Sequence, residues 1–181
     1  MNNSRLVKIS KYLSMVLRHK PERIGLTLAP GGWASVDELL SGCAKNRFSL
    51  TRAELHQVVA KNDKKRFSFD PTATLIRANQ GHSVEIDLQL EPTLPPDVLY
   101  HGTGRGAVES ILQTGLCKMS RHHVHLSADI ATAKRVGKRK GFPVVFAINT
   151  AGMMEKGFLF YCAENLVWLV EKVPPEYLQL I

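Results

Sequence analysis

The sequence has 181 residues, 44% of them hydrophobic, and its 24 lysines and arginines exceed its 16 aspartates and glutamates, giving a net charge of +8. This apolar fraction is sufficient for a packed core, which excludes a disordered chain, and the positive charge favours polyanionic partners. The N-terminus has no apolar signal core, and no apolar run approaches the roughly 20 residues that span a bilayer. Together with three widely spaced cysteines, this predicts a cytoplasmic protein without membrane contact.

The N-terminal part of the chain has three helical patterns. Apolar residues recur at helical spacing over residues 4–19, and Pro21 disfavours helical geometry at the residue before it. Serine or threonine three positions ahead of glutamate gives the capping-box pattern at Ser35 and again at Thr51, each followed by apolar residues. The sequence therefore predicts a helix that ends near Arg18 and two shorter helices behind it.

A β-hairpin is predicted next. Residues 66–69 and 74–78 have strand character and flank the turn signal Asp70-Pro71. Helices followed by a hairpin are typical of a winged-helix-like lobe, which we assign to residues 1–91. Residues 91–96 contain three prolines, which are stiff and lack backbone donors, so this segment is predicted as a linker.

The C-terminal part predicts a mixed α+β lobe over residues 97–181. Short apolar segments of strand character alternate there with helical segments, and no internal repeat is present. Strands are predicted over residues 98–100, 124–126, 144–148, 159–162 and 166–170, and helices over residues 106–113 and 128–136.

A glycine-rich segment, His101-Gly102-Thr103-Gly104-Arg105-Gly106, follows the first of these strands. Glycines let the backbone approach a ligand closely and helix N-terminal amides favour anions, so a dinucleotide pyrophosphate would suit the segment. Neither the Gly-x-Gly-x-x-Gly spacing of Rossmann folds nor the Gly-Lys-Ser/Thr of P-loops is present. A plain turn between a strand and a helix is the alternative.

Arg18, Arg66 and Arg121 each stand beside an aromatic ring or an imidazole. Arginine is a fixed planar cation that cannot act as a base, so several converging arginines suggest a phosphate clamp rather than proton transfer. Next to the first of them, His19 can titrate. Taken separately, each arginine is typical of a solvated surface.

Six motifs run in order along nearly the whole chain: Leu17-Arg18-His19-Lys20-Pro21, Asn62-Asp63-Lys64-Lys65-Arg66-Phe67, Arg77-Ala78-Asn79-Gln80-Gly81-His82-Ser83, Leu99-Tyr100-His101-Gly102-Thr103, His123-Val124-His125-Leu126-Ser127 and Ala163-Glu164-Asn165-Leu166-Val167-Trp168-Leu169. One such motif would be a weak signal, whereas six collinear ones are specific. Together they resemble the NAD-dependent RNA 2′-phosphotransferases, a KptA-like family that removes the 2′-phosphate left at a splice junction by tRNA ligation.

The resemblance implies an α+β protein whose N-terminal winged-helix-like lobe binds RNA and whose C-terminal, ADP-ribosyltransferase-like lobe binds NAD, consumed as a co-substrate. An internal RNA 2′-phosphate would first attack the anomeric carbon of the nicotinamide ribose, which releases nicotinamide and leaves an ADP-ribosylated RNA 2′-phosphate. The ADP-ribose 2″-hydroxyl would then attack the phosphorus, giving 2′-OH RNA and ADP-ribose 1″,2″-cyclic phosphate. We expect a monomer that acts on RNA with an internal 2′-phosphate and needs no metal.

The resemblance also assigns roles to individual residues. Arg18, Arg66 and Arg121 would bind the RNA phosphate, and His19 would position groups or transfer a proton in the second step. At the third signature position, many protein-modifying members of the ADP-ribosyltransferase fold carry a glutamate; this chain has Val167, which speaks against protein ADP-ribosylation. The residues assigned to NAD are His101, Gly102, Thr103, His125, Ser127 and Val167, and those assigned to RNA are Arg77, Gln80 and His82.

Alternatives stay open. The same pocket could ADP-ribosylate terminal phosphates of RNA or DNA without the second step, or the chain could be a non-catalytic winged-helix RNA-binding protein. His122, His123 and His125, near Cys117, could hold zinc, although on a strand His122 would point away from the other two. The basic run over residues 134–140 could follow RNA phosphates or form a solvated helix end.

Overall fold

Both halves of the chain combine helices with antiparallel sheets, which confirms an α+β protein. The structure, a computed structural model, describes residues 1–62 and 64–181; Asp63, which belongs to the second motif, lies outside the described residues. The chain divides into two units, Met1–Gln89 and Leu90–Ile181. None of the described helices is both long enough and apolar enough to cross a membrane.

The first unit is built from three helices and a small sheet. The capping box at Thr51 is complete, because its hydroxyl accepts from the Glu54 N–H and the Glu54 carboxylate accepts from the Thr51 N–H, each at 3.1 Å. At Ser35 the hydroxyl accepts from the Glu38 N–H at 3.3 Å. Both predicted helices therefore begin where the sequence places them. The elements are α1 (Asn3–Arg18), β1 (Trp33–Ser35), α2 (Val36–Lys45), α3 (Arg52–Ala60), β2 (Phe67–Phe69) and β3 (Leu75–Ala78).

The sheet of the first unit is antiparallel in the order β1-β3-β2, and the predicted hairpin forms its β2 and β3 strands. The Asp70 carboxylate closes the hairpin turn by accepting from the Leu75 N–H at 2.7 Å. Leu17, the last apolar residue of α1, is fully buried, as is Ile76 of β3. Full burial of such a side chain contributes about 1.5–3 kcal/mol. Leu17 therefore anchors the C-terminal end of α1 in the core and fixes the position of Arg18, the next residue. This core includes Ile9, Leu13, Leu17, Leu39, Leu55, Phe67 and Ile76.

The second unit contains small antiparallel sheets with strand orders β11-β7-β4, β6-β9-β8 and β10-β5. Tyr100 and Ser127 join the first two sheets, because the N–H of each donates to the carbonyl oxygen of the other at 2.8 Å. A separate apolar core that includes Leu99, Ile148 and Phe160 lies under these sheets. The elements are β4 (Val98–Gly104), α4 (Val108–Thr114), β5 (Leu116–Cys117), β6 (Val124–Leu126), α5 (Ile130–Gly137), β7 (Pro143–Asn149), α6 (Thr150–Glu155), β8 (Phe160–Cys162), β9 (Trp168–Val170), β10 (Lys172–Val173) and β11 (Leu178–Leu180).

Strand β4 is longer than predicted. The predicted strand over residues 98–100 continues through His101, Gly102 and Thr103 to Gly104 and pairs with β7 over its whole length, so the alternative of a plain turn is wrong at these positions. The glycines instead allow close packing: a Cβ at Gly102 would lie 1.7 Å from the carbonyl oxygen of Ala133 in α5. Helix α5 therefore rests directly on the backbone of β4.

The proline-rich segment predicted as a linker is attached to the second unit. Pro92 pairs with Tyr161 in an isolated β-bridge, and the Thr93 N–H donates to the carbonyl oxygen of Phe160 at 2.8 Å. Thr93 retains the backbone donor that the prolines beside it lack. The proline-rich segment therefore pairs with strand β8, a contact that its composition does not predict.

Candidate functional site

Arg18, the last residue of α1, is held through both its backbone and its side chain. Its carbonyl oxygen accepts from the N–H groups of Ser83 at 2.9 Å and Val84 at 3.3 Å. Its half-buried guanidinium donates from Nη2 to the carbonyl oxygen of Arg66 at 3.3 Å and lies 5.8 Å from the centre of the Phe67 ring. Three segments that are distant in sequence therefore position this cation.

His19 caps the C-terminal end of α1 and is exposed to solvent. Its Nδ1 lies 2.8 Å from the Ser83 hydroxyl oxygen. If the hydroxyl donates, Nδ1 is an acceptor and the proton of a neutral ring is on Nε2; if Nδ1–H donates, the assignment reverses. Ser83 therefore orients the imidazole, and the direction of this hydrogen bond decides which ring nitrogen carries the proton. The sequence did not indicate this role for Ser83.

Arg66 precedes β2 and is joined to the first motif through its carbonyl oxygen. That oxygen accepts from Arg18 and from the Asn79 N–H at 2.9 Å, while Arg66 Nη1 donates to Asn62 Oδ1 at 3.2 Å. Asn79 is buried and donates from Nδ2 to the Lys65 carbonyl oxygen at 2.8 Å. Within residues 1–62 and 64–181, no hydrogen-bond partner is found for its buried Oδ1. Asn79 therefore fixes the backbone on which Arg66 stands.

The residues predicted to bind RNA lie on β3 and in the loop that follows it. The Arg77 guanidinium stacks 4.5 Å from the centre of the Trp33 ring, and Gln80 is half-buried. His82 has no exposed surface, so direct contact with a ligand would require its neighbours to move. Gly81, at a φ of +87°, lies beside the Arg18 guanidinium; a Cβ there would be in ordinary contact with Nη1 at 3.5 Å, so the positive φ is what favours glycine.

In the second unit, His101 of β4 has a defined tautomer. Its Nδ1 lies 3.0 Å from the carbonyl oxygen of His125, and a carbonyl oxygen can only accept, so Nδ1 carries a proton. Burial, and to a lesser extent Lys140, lower the pKa of His101 from its ordinary 6.5, while the His125 carbonyl opposes them. The imidazole is therefore neutral at neutral pH, and its Nε2 has the character of an acceptor.

His125 lies on β6, next to the strand that carries His101. Its Nδ1 is 3.4 Å from Nη1 of the exposed Arg121, a long contact for a hydrogen bond. Ser127 follows β6 and is fixed by its double backbone pairing with Tyr100. The second unit thus brings four of the predicted residues together: His101, His125, Arg121 and Ser127.

Three other residues predicted for the cofactor have different surroundings. Thr103 is buried, and Gly102 is closed by α5 on one face of its strand. Val167 is half-buried and lies in the turn before β9, where its carbonyl oxygen accepts from the Ala163 N–H at 3.0 Å. Its side chain has no group that could bind a hydroxyl by hydrogen bonding.

The histidines weighed as zinc ligands have other contacts. His123 packs 5.5 Å from the ring of Tyr161, and its centre lies 6.5 Å from that of His122. Among the described residues, no group of three or more histidines, cysteines, aspartates or glutamates could hold a metal ion. The basic run at 134–140 ends α5 and continues into an exposed 3-10 turn, Lys138–Lys140.

The comparisons with known proteins agree with the order of the six motifs. The family model for RNA 2′-phosphotransferase, Tpt1 / KptA family, matches residues 4–172. The chain is 68% identical over 181 residues to a probable RNA 2′-phosphotransferase of Nostoc punctiforme and 64% identical over 181 residues to one of Trichormus variabilis, covering 100% of each. It is 51% identical over 180 residues to one of Herpetosiphon aurantiacus, covering 99% of that protein. The prediction of an enzyme of this kind is confirmed, and the chain belongs to the RNA 2′-phosphotransferase, Tpt1 / KptA family.

Proposed function

We propose that this enzyme removes an internal 2′-phosphate from RNA by transferring it to ADP-ribose derived from NAD. The observation that carries the proposal is the grouping of Arg18, His19 and Arg66, which brings two planar cations and one titratable imidazole together from distant parts of the first unit. Such a set suits a phosphate that must be held in line during phosphoryl transfer.

The two units support the division of labour that the family resemblance implies. Three helices and a three-stranded sheet in the first unit are consistent with a winged-helix-like RNA lobe over residues 1–91. The short antiparallel sheets of the second are consistent with an ADP-ribosyltransferase-like lobe over residues 97–181. We assign NAD to the second lobe and the RNA phosphate mainly to Arg18, His19 and Arg66 of the first, with Arg121 contributed by the second.

Arg18, Arg66 and Arg121 bind the RNA 2′-phosphate in this proposal. The Arg18 guanidinium donates to the Arg66 carbonyl oxygen, so its position depends on the backbone that carries Arg66. A pre-positioned fork of donors stabilises charge that develops on the phosphate oxygens without reorganising during the reaction. Arg121 is an exposed cation of the second unit and, in this proposal, stabilises the phosphorus-centred transition state most directly.

His19 is the proton-transfer group of the second step. When a ribose hydroxyl attacks the phosphorus, it must lose a proton, and the departing RNA 2′-oxygen must gain one. An imidazole can accept a proton at one ring nitrogen and donate one from the other, so a single ring can serve either transfer. The Ser83 hydroxyl at 2.8 Å fixes the ring that performs it.

The residues around His101 fit NAD, which when bound would supply the ribosyl carbon that receives the phosphate and the hydroxyl that later displaces the RNA. His101 Nδ1 is committed to the His125 carbonyl, so Nε2 can accept a hydrogen bond from a ribose hydroxyl of the adenosine part. The family resemblance assigns Gly102, Thr103, Ser127 and Val167 to NAD as well. Val167 in place of a glutamate favours a phosphate rather than a protein side chain as the acceptor.

Product analysis tests the proposal. The enzyme is incubated with NAD and an oligoribonucleotide bearing one internal 2′-phosphate, and both products are identified by mass. We expect nicotinamide release in step with formation of 2′-OH RNA and ADP-ribose 1″,2″-cyclic phosphate. Nicotinamide release that also occurs without the 2′-phosphate would contradict the proposal, and a stable ADP-ribosyl adduct on terminal phosphates would support ADP-ribosylation without transesterification.

A further inference from the structure

A basic groove of about 340 Å³ lies in the first unit between α1 and the segment that follows α3. Its apolar floor is formed by Leu6, Val7 and Val58. In the described part of its lining, every charged side chain is a cation. These cations are Lys11, Lys61, Lys64 and Arg66.

Lys11 and Lys61 are exposed, and neither forms an ion pair with any described residue. Their neighbours on the same helices behave differently, since Arg5 of α1 pairs with Glu54 of α3 at 2.9 Å. Two exposed lysines without an ion pair among the described residues raise the local positive potential, and this potential attracts a polyanion. The charge of the groove therefore complements a nucleic-acid backbone.

The groove is continuous with the candidate phosphate site. Asn62 donates from Nδ2 to the Ser10 hydroxyl at 3.3 Å, and its Oδ1 accepts from Arg66 Nη1 at 3.2 Å. One side chain thus joins the wall of the groove on α1 to the arginine assigned to the 2′-phosphate. Because Arg66 itself lines the groove, phosphates that neighbour a 2′-phosphate held at Arg66 can reach the groove.

We propose that this groove binds the phosphate backbone of the RNA strand adjoining the 2′-phosphate, with Lys11 and Lys61 as its principal contacts. The inference rests on the proposed function in one respect, the placement of the 2′-phosphate at Arg66. The groove would recognise the backbone without reading the base sequence, because ammonium groups bind phosphate as point charges. Substrate affinity then depends on strand length.

The test compares two charge-neutralised variants of the full chain. Lys11→Gln/Lys61→Gln alters the groove, and Lys8→Gln/Lys45→Gln removes the same charge from exposed positions of the same unit outside it. Each protein is titrated without NAD against a labelled trinucleotide and a labelled dodecamer, both carrying one internal 2′-phosphate, over a series of salt concentrations. Thermal unfolding checks that both variants are folded.

We expect the groove variant to bind the dodecamer about tenfold more weakly and to lose about 1.4 from the slope of log affinity against log salt, which corresponds to two single-strand contacts. Trinucleotide binding should not change. An equal loss in the control variant, or an equal loss for both oligonucleotides, would overturn the proposal. If the wild type does not turn over 2′-phosphorylated RNA but the groove variant still loses dodecamer affinity, the proposed function fails and the groove stands.

Discussion

The polar residues of the first unit and those of the second are stabilised in opposite ways. In the first, Arg18 and Arg66 are permanent cations, and both remain partly exposed to water; Arg18 donates to a backbone carbonyl oxygen and Arg66 to the side-chain oxygen of Asn62. In the second, His101 is neutral, because burial lowers its pKa and its Nδ1–H has a carbonyl partner. Burying an unpaired charge is costly, whereas a hydrogen-bonded neutral ring is not. The cations of the first unit therefore suit an anionic ligand, whereas the neutral imidazole of the second unit suits sugar hydroxyls.

Substituting Gly102 with alanine should disrupt the second unit most strongly. The new Cβ would lie 1.7 Å from the Ala133 carbonyl oxygen, so β4 and α5 would have to separate. We expect a loss of about 3 kcal/mol or more in the free energy of unfolding, at the upper end of overpacking effects. Denaturant unfolding of Gly106→Ala is the matched control, since nothing lies within 4 Å of its Cβ position; similar midpoints for both variants would contradict the packing role.

Replacing Arg18 with lysine tests the cationic site of the first unit. One ammonium cannot reproduce the guanidinium fork, so we expect kcat to fall about 100-fold, while KM for NAD stays nearly constant. Arg52→Lys, at an exposed ion pair with Asp37, is the control and should retain activity. Full rescue by lysine at position 18 would mean that only its charge matters.

His101→Ala should affect the second unit alone. A lost ribose hydrogen bond is worth about 0.5–1.5 kcal/mol, which raises KM for NAD several-fold to about tenfold. RNA affinity, titrated without NAD, should remain within error of the wild type. A large loss of RNA affinity in this variant would contradict the assignment of His101 to NAD.

The two units should also lose stability in different pH windows. In the first, hydrogen bonding from Arg5 holds the pKa of Glu54 at about 2, below its ordinary 4.5, so this contribution is present above pH 4.5 and lost as the pH falls towards 2. In the second unit, burial lowers the pKa of His101 in the folded state below its ordinary 6.5. As the pH falls below 6.5, the unfolded state takes up the proton more readily than the folded state, so the free energy of unfolding decreases.

Glu54→Gln should cost only about 1 kcal/mol at neutral pH, since both partners of the pair are about a quarter exposed and screened. Thermal unfolding of this variant and of the wild type across the acidic range measures the effect. The difference between them should shrink as the pH approaches 2; a constant difference would show that the ion pair is not responsible.

Local rules predict the first unit well. The helix before Pro21, the caps at Ser35 and Thr51, and the hairpin around Asp70 are each determined by residues adjacent in sequence. The loop that supports the arginines is different, because Asn79 and Ser83 act through backbone and hydroxyl contacts with segments far along the chain. No periodic pattern in the sequence predicts contacts between segments so far apart.

In the second unit the same rules predict strands β6 to β9 and helices α4 and α5 at nearly the residues where they form, but they mislead at the glycine-rich segment. Gly102 and Gly104 suggest a turn, yet they lie in β4, because a side chain at Gly102 would collide with α5 and one at Gly104 with the carbonyl oxygen of Lys140 in the 3-10 turn after α5. Strands of two or three residues, such as β5 and β10, are too short to produce an alternating pattern. The family motifs assign the site residues. The spacing of these residues along the sequence does not by itself predict that His101 and His125 lie in contact.

Single-turnover kinetics of His19→Ala test the central claim most directly, that the first unit acts on the phosphate while the second acts on NAD. The variant is mixed with NAD and excess enzyme over 2′-phosphorylated RNA, and nicotinamide and RNA species are quantified with time. We predict near-normal nicotinamide release with accumulation of ADP-ribosylated RNA, because only the second step loses its proton-transfer group. Equal slowing of nicotinamide release and of 2′-OH RNA formation, without accumulation, would contradict the account.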